Sequence, residues 1–301
     1  MPTYPHTENF CGGAFQDWLE VNLIQKCNAK CSWCIEKVGF HPYHKASWET
    51  IADAAIKTGL KNIILLGGEP TLYKDLKPLI QKLIKAKKKV WITTNGSRIN
   101  KKFCEENLIG ISGINISIHH YNLKKNAEIT HLNLKAEILM EGIRILRMND
   151  IGVRLNCNTI KGYIDSEEMI YEYVRFAKWI GANSVRFTEL KMDNGSFVDL
   201  AIILNEKYGL NHDPFKMGCQ AEGTILGMEV KFRQMCGLQT PHRPRPVDPV
   251  QCPKHVLYYD GKVYDGWQSS LYRLSDQAID ELLQGVAEGK ISPEEAKRLI
   301  K

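Results

Sequence analysis

Strand-like and helix-like segments alternate over the first 190 residues, and this rhythm constrains the fold more than any other feature of the chain. Alternation of this length predicts a parallel sheet with right-handed crossovers. Six strand–helix units are too few to close an eight-stranded barrel, so the expected fold class is α/β, an open or partial TIM-like barrel. The predicted strands are 17–24, 61–66, 89–94, 113–118, 153–160 and 183–190, and the predicted helices are 47–59, 75–88, 100–107, 133–149 and 166–181.

The rhythm breaks after about residue 205. Residues 211–270 contain six prolines, and their patterns predict short strands with a hairpin turn at Asp260-Gly261. From Ser275 onward, two short helices follow, each with a serine at its N-cap. The predicted organisation is an N-terminal segment (1–16), a partial barrel (17–210), a small β-rich extension with cysteines (211–270) and a helical tail (271–301).

Composition narrows the class of protein. The 301 residues are 44% hydrophobic and contain no apolar run long enough for a membrane span. The N-terminal stretch MPTYPHTENFCGG lacks the pattern of a secretory signal. We therefore expect a cytoplasmic protein, in which clustered cysteines indicate metal binding or catalysis. The nine cysteines, an odd number, also argue against a complete disulfide framework.

The formal net charge of +6 indicates the kind of partner. A modest positive balance suits an anionic substrate or an acidic electron-donor protein. It is too weak to indicate nucleic-acid binding, which leaves a denser basic footprint. The lysine run at residues 85–89 falls at a predicted helix end, where cations interact favourably with the helix dipole.

Three cysteines lie close together in CNAKCSWC, residues 27–34, with the spacing C-x3-C-x2-C. These thiols could hold zinc if Cys11, His41 or His44 supplied a fourth ligand. They could also hold three corners of a [4Fe–4S] cluster and leave the fourth iron open for a ligand. The loop directly follows a predicted strand, which is where α/β folds place their chemistry.

Two polar turns follow the next two strands. Gly67 and Gly68 allow the backbone to approach a ligand closely, and Glu69 adds a carboxylate. The stretch ITTNGS, residues 92–97, follows the third strand. Because the carboxyl ends of parallel strands lie at one edge of a sheet, these turns predict a pocket beside the cysteine loop.

This combination resembles the radical S-adenosylmethionine (radical SAM) superfamily over about residues 17–190. The cysteine spacing with Trp33 before the last cysteine and the Gly67-Gly68-Glu69-Pro70 sequence carry the resemblance. It implies a partial (β/α)6 barrel, a [4Fe–4S] cluster on Cys27, Cys31 and Cys34, and S-adenosylmethionine. The residues it implies for binding S-adenosylmethionine are Trp33, Gly67, Gly68, Glu69, Pro70, Thr94, Asn95, Ser117, Asn158 and Arg186. For Asn158, the alternative role is hydrogen bonding to the backbone. For Arg186, the alternative role is a structural ion pair.

The resemblance also implies a mechanism. The open iron would chelate the amino and carboxylate groups of S-adenosylmethionine, and Glu69 and the adjacent backbone would receive the amino group. One electron, supplied by a flavodoxin or ferredoxin-type donor, breaks the C–S bond. The 5′-deoxyadenosyl radical then removes a hydrogen atom from the substrate, while the protein orients the reactants and excludes water.

The extension resembles the twitch or SPASM-like regions of the superfamily, which carry auxiliary clusters. This implies a second [4Fe–4S] cluster on Cys219, Cys236 and Cys252, although three buried thiols remain an alternative. The fourth iron would be open or bound by His242, Asp248 or His255. The cysteine usual after the last hairpin is absent, since Asp265 and Gly266 stand there, so a two-cluster SPASM domain is not expected.

The substrate is predicted only by class. His119 shares a predicted strand face with Ser117, which favours it as a catalytic residue on the substrate side, although a solvated loop histidine is the alternative. Residues 156–190 resemble the GTP 3′,8-cyclase branch, but the C-terminal cysteine spacing differs, so GTP cyclisation is not expected. We expect a small nucleotide- or sugar-like substrate. A peptide is the alternative, and a zinc-stabilised, non-enzymatic binding protein is a third interpretation.

Overall fold

The computed structural model describes residues 17–191, 195–210, 219–235, 255–268 and 274–300. The strands are β1 (Trp18–Asn22), β2 (Asn62–Leu66), β3 (Lys89–Thr94), β4 (Gly113–Ser117), β5 (Gly152–Asn158), β6 (Ser184–Thr188), β7 (Gln220–Ile225), β8 (Met228–Arg233), β9 (His255–Leu257) and β10 (Val263–Asp265). The helices are α1 (Trp48–Lys57), α2 (Leu76–Lys85), α3 (Lys101–Asn107), α4 (Leu123–Thr130), α5 (Ala136–Met148), α6 (Glu167–Ile180), α7 (Leu200–Ile203), α8 (Asp276–Ala287) and α9 (Pro293–Ile300).

The described residues fall into two compact units. The β1 unit comprises described residues 17–27, 34–92, 255–268 and 274–300. The β4 unit comprises described residues 28–33, 93–191, 195–210 and 219–235. Strand β3 passes from one unit to the other after Ile92. The cysteine loop is also divided, because its central residues belong to the β4 unit and its ends to the β1 unit.

The sheet of the β1 unit has a parallel centre. Strand β1 pairs in parallel with β2 and with β9, β2 pairs in parallel with β3, and β10 is antiparallel to β9. The hairpin predicted around Asp260-Gly261 is therefore confirmed, and it lies beside β1. A core cluster fixes the tail helices to this unit, because Phe40 packs with Tyr258, Tyr264, Leu274 and Leu282.

The sheet of the β4 unit repeats this plan. Strand β5 pairs in parallel with β4 and β6, β6 pairs in parallel with β8, and β7 is antiparallel to β8. Residues 220–233 of the predicted extension thus continue the strand pairing of the barrel. The domain boundaries near residues 210 and 270 remain a proposal from the sequence. Among the described strands, β7 and β10 each pair with one neighbour, so the sheet is open rather than closed.

Local sequence signals account for most element ends. Ser47, Ser166 and Ser275 accept hydrogen bonds from the backbone at the starts of α1, α6 and α8, as predicted. Gly181 ends α6 with a φ of 94°, a left-handed conformation that favours glycine. Helix α4 was not predicted, although Asn122 caps it through a hydrogen bond from the Lys124 amide.

In the described parts of the chain, no helix combines the length and apolar character needed to cross a bilayer.

Candidate active site

The stem of the cysteine loop, residues 23–26, is hydrogen bonded to the turn that follows β2. The Gly68 amide donates to the Ile24 carbonyl at 2.6 Å, and the Glu69 amide donates to the Lys26 carbonyl at 2.9 Å. These bonds extend the β1–β2 pairing beyond both strands, up to the residue before Cys27. The position of the stem is therefore set by the glycine turn, residues 67–70.

Gly67 and Gly68 are required by this close approach of two backbone segments. A Cβ added at Gly67 would lie 2.5 Å from the Ile24 carbonyl oxygen, and one at Gly68 would overlap the carbonyl oxygens of Gln25 and Lys26. From the sequence, the two glycines were expected to allow close approach of a ligand. The structure gives a different physical reason, and their contact with S-adenosylmethionine remains a proposal.

Glu69 is held in a fixed orientation. Its side chain is fully buried and accepts hydrogen bonds from the amide and the hydroxyl of Thr71, the amide at 3.0 Å. Pro70 begins the short 3-10 turn Pro70–Leu72 directly after it. The carboxylate is thus placed by its own turn before any ligand binds.

The ends of the cysteine loop lie in the β1 unit, where Cys27 is exposed and Cys34 is half-buried. Burial raises the pKa of the Cys34 thiol above its ordinary value, and negative charge on Glu36 and Cys27 raises it further. Two nearby thiolates thus oppose each other's ionisation, and a metal centre would offset that repulsion. The donor set of three thiols on one short loop therefore suits an iron–sulfur cluster.

The three cysteines are divided between the two units. Within the described ranges, no group of three or more His, Cys, Asp or Glu side chains is arranged to hold a metal ion. Cys31 belongs to the β4 unit and Cys27 and Cys34 to the β1 unit. The ligand set Cys27, Cys31 and Cys34 therefore remains a proposal.

An amide network links the centre of the cysteine loop to the turn after β3. The Asn95 side-chain amide donates to Asn28 Oδ1 at 2.8 Å, and the Asn28 amide donates to Ser97 Oγ at 2.9 Å. Asn95 Oδ1 also accepts from the Ser97 backbone, and Thr94 Oγ1 accepts from the Gly96 backbone. The structure thus brings Thr94 and Asn95 to the loop. Asn28 was not predicted as a site residue, because its hydrogen-bond partners are known only from the tertiary structure.

Trp33 anchors the loop in a core cluster of the β4 unit. Its ring packs against Ile129, Ile160 and Leu190. It also meets the His119 ring edge-on, with 5.4 Å between the ring centroids. These contacts are structural, and the predicted contact of Trp33 with a cofactor remains a proposal.

His119 is buried rather than solvated. Its Nδ1 accepts a hydrogen bond from the Asn158 amide at 3.0 Å, which places the ring proton on Nε2. Burial lowers the pKa of His119 to about 4, so the ring is neutral near pH 7. The solvated-loop alternative is therefore wrong. A role on the substrate side remains a proposal, and Nε2–H is the ring group that would carry it.

One face of the strands in the β4 unit carries polar residues in register. Ser117 on β4 is opposite Asn156 on β5, which is opposite Arg186 on β6. Arg186 in turn is opposite Lys231 on β8. Residues two positions away point to the same face, so this face also includes Arg154, Asn158 and Arg233. Four cations on neighbouring strands share this face with Glu222 and Glu229. Both carboxylates pair with Lys231, so the remaining positive charge of the face comes from the arginines.

Arg154 and Asn115 extend this polar face and were missed by the sequence analysis. Burial lowers the pKa of Arg154 to about 10, so the guanidinium is still charged at neutral pH, and its Nε donates to Asn156. Asn115 is buried, and its side-chain amide donates to Thr93. Among the described residues, its Oδ1 has no hydrogen-bond partner. One sequence signal could have identified Asn115. It lies two residues before Ser117, so both side chains are on the same face of β4.

The predicted auxiliary site is described in part. Cys219 is buried directly before β7, and its carbonyl accepts from the Gln234 amide at 2.8 Å, so the open end of the β7–β8 hairpin holds it. His255 begins β9 and is exposed. Cys11, Cys236, His242, Asp248 and Cys252 lie outside the described residues.

Buried Glu189 fixes the chain just before Cys236. Its two carboxylate oxygens accept from the Leu200 amide at 2.9 Å and the Met235 amide at 2.6 Å. Replacing Glu189 by Gln puts a donor where an acceptor is needed and leaves a buried amide unpaired. We expect Glu189→Gln to lower the free energy of unfolding by about 1–3 kcal/mol in chemical denaturation. The exposed Glu141→Gln on α5 is the control, and equal midpoints for both variants would contradict this role of Glu189.

The histidines considered as zinc ligands have other partners. His41 Nε2 lies 2.8 Å from the Glu36 carbonyl oxygen, and His44 lies 4.0 Å from the Glu288 carboxylate. Both contacts are within the β1 unit and connect the segment after the cysteine loop to its surroundings. The described contacts therefore give no support to a zinc site completed by His41 or His44.

The chain is similar to known proteins in both sequence and fold. The sequence model of the radical SAM superfamily matches residues 21–177, slightly over half of the chain. The chain is 27% identical over 208 residues to molybdenum cofactor biosynthesis protein 1 of Dictyostelium discoideum, which covers 64% of this chain and 32% of the relative. It is 29% identical over 192 residues to GTP 3′,8-cyclase of Aquifex aeolicus, which covers 60% of this chain and 58% of the relative.

A solved structure supports the fold. Streptococcus suis SuiB bound to S-adenosylmethionine aligns over 84% of this chain and 63% of its own, with 18% identity and a TM-score of 0.58. At this identity the likeness shows the fold alone, and it confirms the α/β class with an open, partial barrel. The chain spans about a third to six tenths of the length of the two curated relatives above.

Proposed function

Because this chain belongs to the radical SAM superfamily, we propose that it cleaves S-adenosylmethionine reductively at a [4Fe–4S] cluster held by Cys27, Cys31 and Cys34. The cluster and S-adenosylmethionine, when bound, supply a 5′-deoxyadenosyl radical that removes hydrogen from a substrate. One observation carries the proposal. The backbone hydrogen bonds between the stem and the glycine turn hold the cysteine loop and Glu69 in a fixed relation.

The side chains at the strand ends have distinct proposed roles. Glu69, oriented by Thr71, receives the amino group of the methionine moiety. Asn95 is held by Asn28, and with Thr94 and Ser117 it contacts the remainder of S-adenosylmethionine. Because these side chains are already oriented, binding S-adenosylmethionine costs little of their conformational entropy.

The proposed substrate is a small anionic metabolite of the nucleotide or sugar-phosphate kind. Arg154, Arg186 and Arg233 give one face of the β4 unit an excess of positive charge, which favours anionic groups. Lys231 on the same face is already paired with Glu222 and Glu229. The name of the Aquifex relative gives GTP as what that protein acts on, and GTP is a compound of this class. We therefore propose a substrate of the nucleotide or sugar-phosphate class, and we do not propose that this chain cyclises GTP.

A second, auxiliary [4Fe–4S] cluster is proposed on Cys219, Cys236 and Cys252. The hairpin supports it, because the bond between Gln234 and Cys219 places the start of β7 beside the end of β8. Residue 219 is thereby brought near Met235, which precedes Cys236 in the chain. Thiols remote in sequence can share one metal centre in this arrangement.

Iron and sulfide content with EPR tests both clusters on anaerobically purified, reconstituted protein. We expect about eight irons per chain, a spectrum that changes when S-adenosylmethionine is added, and 5′-deoxyadenosine after reduction with dithionite. About four irons per chain with the same spectral change would support the radical function and would reject the auxiliary cluster. Zinc without iron, or no response to S-adenosylmethionine, would reject the proposed function.

A further inference from the structure

The whole net charge of the chain originates in one segment of the β1 unit. Residues 45–89 contain ten lysines and four acidic residues, an excess of six positive charges. The rest of the chain has thirty basic and thirty acidic residues, so it is balanced. One of the four acids, Glu69, is fully buried. The positive charge is therefore a local property of the segment that contains α1, β2 and α2.

An open cavity of about 1040 Å³ lies in the same unit. The stem forms one wall, including Lys26, the residue before Cys27. The residues leading into α1 and the residues after the glycine turn form the others. The cavity thus lies against the backbone that leads into the cysteine loop.

The cavity combines an apolar floor with a cationic rim. Trp48, Ile51 and Leu72 provide apolar surface, and exposed Lys45 and Lys74 provide charge. Ser47 caps α1 at the cavity, so the positive end of the helix dipole adds to the rim. A desolvated apolar centre with a charged rim is the usual plan of a protein-binding surface.

Several of the other lysines are committed to the fold. Lys82 pairs with Asp53 at 2.6 Å, and Lys88 donates to the carbonyls of Ile56 and Leu60. Lys74 lies 3.8 Å from Asp75 but is highly exposed, with 88% of its side chain accessible. Lys45 is also exposed. These two lysines at the rim are therefore available to an external partner.

We propose that this lysine-rimmed cavity docks an acidic, one-electron donor protein of the flavodoxin kind. The inference rests on the proposed function, which consumes one electron for each S-adenosylmethionine cleaved. The donor is oxidised by one electron, and S-adenosylmethionine is reduced by that electron as its C–S bond breaks. Charge complementarity identifies the partner, since an acidic face meets a rim on which Lys26, Lys45 and Lys74 outnumber Asp75.

Paired charge reversals test the docking surface. The test variant is Lys45→Glu/Lys74→Glu, and the control is Lys57→Glu/Lys61→Glu, which makes the same change of charge. Lys57 ends α1, so the control lies about 15 Å from the cavity end of that helix. The two readouts are binding of oxidised flavodoxin by biolayer interferometry and S-adenosylmethionine cleavage driven by either reduced flavodoxin or dithionite.

The expected result separates the two reductants. The test variant should bind flavodoxin about tenfold or more weakly at low salt, and its flavodoxin-driven cleavage should fall in parallel. Its dithionite-driven cleavage should match that of the wild type, and the control should retain both reactions. Unchanged flavodoxin binding by the test variant, or an equal loss in the control, would overturn the docking site.

Two other outcomes have different meanings. Absence of dithionite-driven cleavage in the wild type would reject the proposed function, independently of any docking result. Weakened binding of an RNA hairpin by the test variant, with unchanged flavodoxin binding, would assign the surface to nucleic acid and overturn the donor proposal. Raising the salt concentration should weaken flavodoxin binding to the wild type, because exposed charges are screened.

Discussion

Replacing Cys31 by alanine is expected to abolish reductive cleavage of S-adenosylmethionine. The proposed cluster is held at three corners, and loss of one thiolate leaves an iron without a protein ligand. Cys31 lies in the part of the loop that the Asn28 network and Trp33 hold in the β4 unit, so the substitution should leave those contacts intact. Iron content and 5′-deoxyadenosine after dithionite reduction measure the effect, and both should fall.

The matched control for this variant is Cys104→Ala. Cys104 is buried in α3, where burial raises the pKa of its thiol to about 12, so it remains an uncharged core group. Its replacement removes one thiol of the same size from the same unit, so only a modest loss of stability is expected. Retained cleavage by Cys31→Ala, or an equal loss of iron in Cys104→Ala, would refute the assignment of Cys31 as a ligand.

The parts of the fold that were predicted correctly depend on short-range signals. Ser47, Ser166 and Gly181 act within one helical turn of their position, so the sequence alone is enough to locate these helix ends. Apolar runs and alternation in the sequence predicted the strands. The turn-forming dipeptide Asp260-Gly261 predicted the hairpin. Helix α4 was missed because its eight residues contain few apolar positions, and it is stabilised by packing around Ile129.

The sequence predicted which residue types form the candidate site, but it predicted few of the contacts that these residues make. Its cysteines, glycines and polar turns are visible at strand ends, but the partners of each side chain depend on tertiary structure. His119 is an example, since the strand pattern placed it on a face but could not show that Asn158 would occupy its Nδ1. Asn28 and Glu189 are others, because their partners are distant in sequence.

The glycine turn shows how a motif can combine a structural role with a proposed functional one. A pattern of two glycines and an acid indicates close approach, but it does not state what approaches. The structure identifies the approaching group as the stem of the cysteine loop. Any residue with a side chain at this place would separate the two segments that the proposed chemistry needs together.

Replacing Gly68 by alanine is therefore expected to impair both folding and cluster assembly. The added methyl group would overlap the carbonyl oxygens of Gln25 and Lys26. The Lys26 oxygen accepts from the Glu69 amide, so it cannot move away without breaking that hydrogen bond. Gly68 does not have a positive φ, so the cost is steric and should be about 1–3 kcal/mol. Chemical denaturation should show this loss, and iron content after reconstitution should fall because the stem is displaced.

Gly39→Ala is the matched control in the same unit. A Cβ at Gly39 would have its nearest neighbour, the Ile35 carbonyl oxygen, at 3.5 Å, which is ordinary van der Waals contact. We therefore expect its stability to change by less than about 0.5 kcal/mol and its iron content to match the wild type. If Gly68→Ala retained wild-type stability and iron, the close packing of turn and stem would not be what requires glycine. The requirement would then lie with the bound ligand, as the motif alone had indicated.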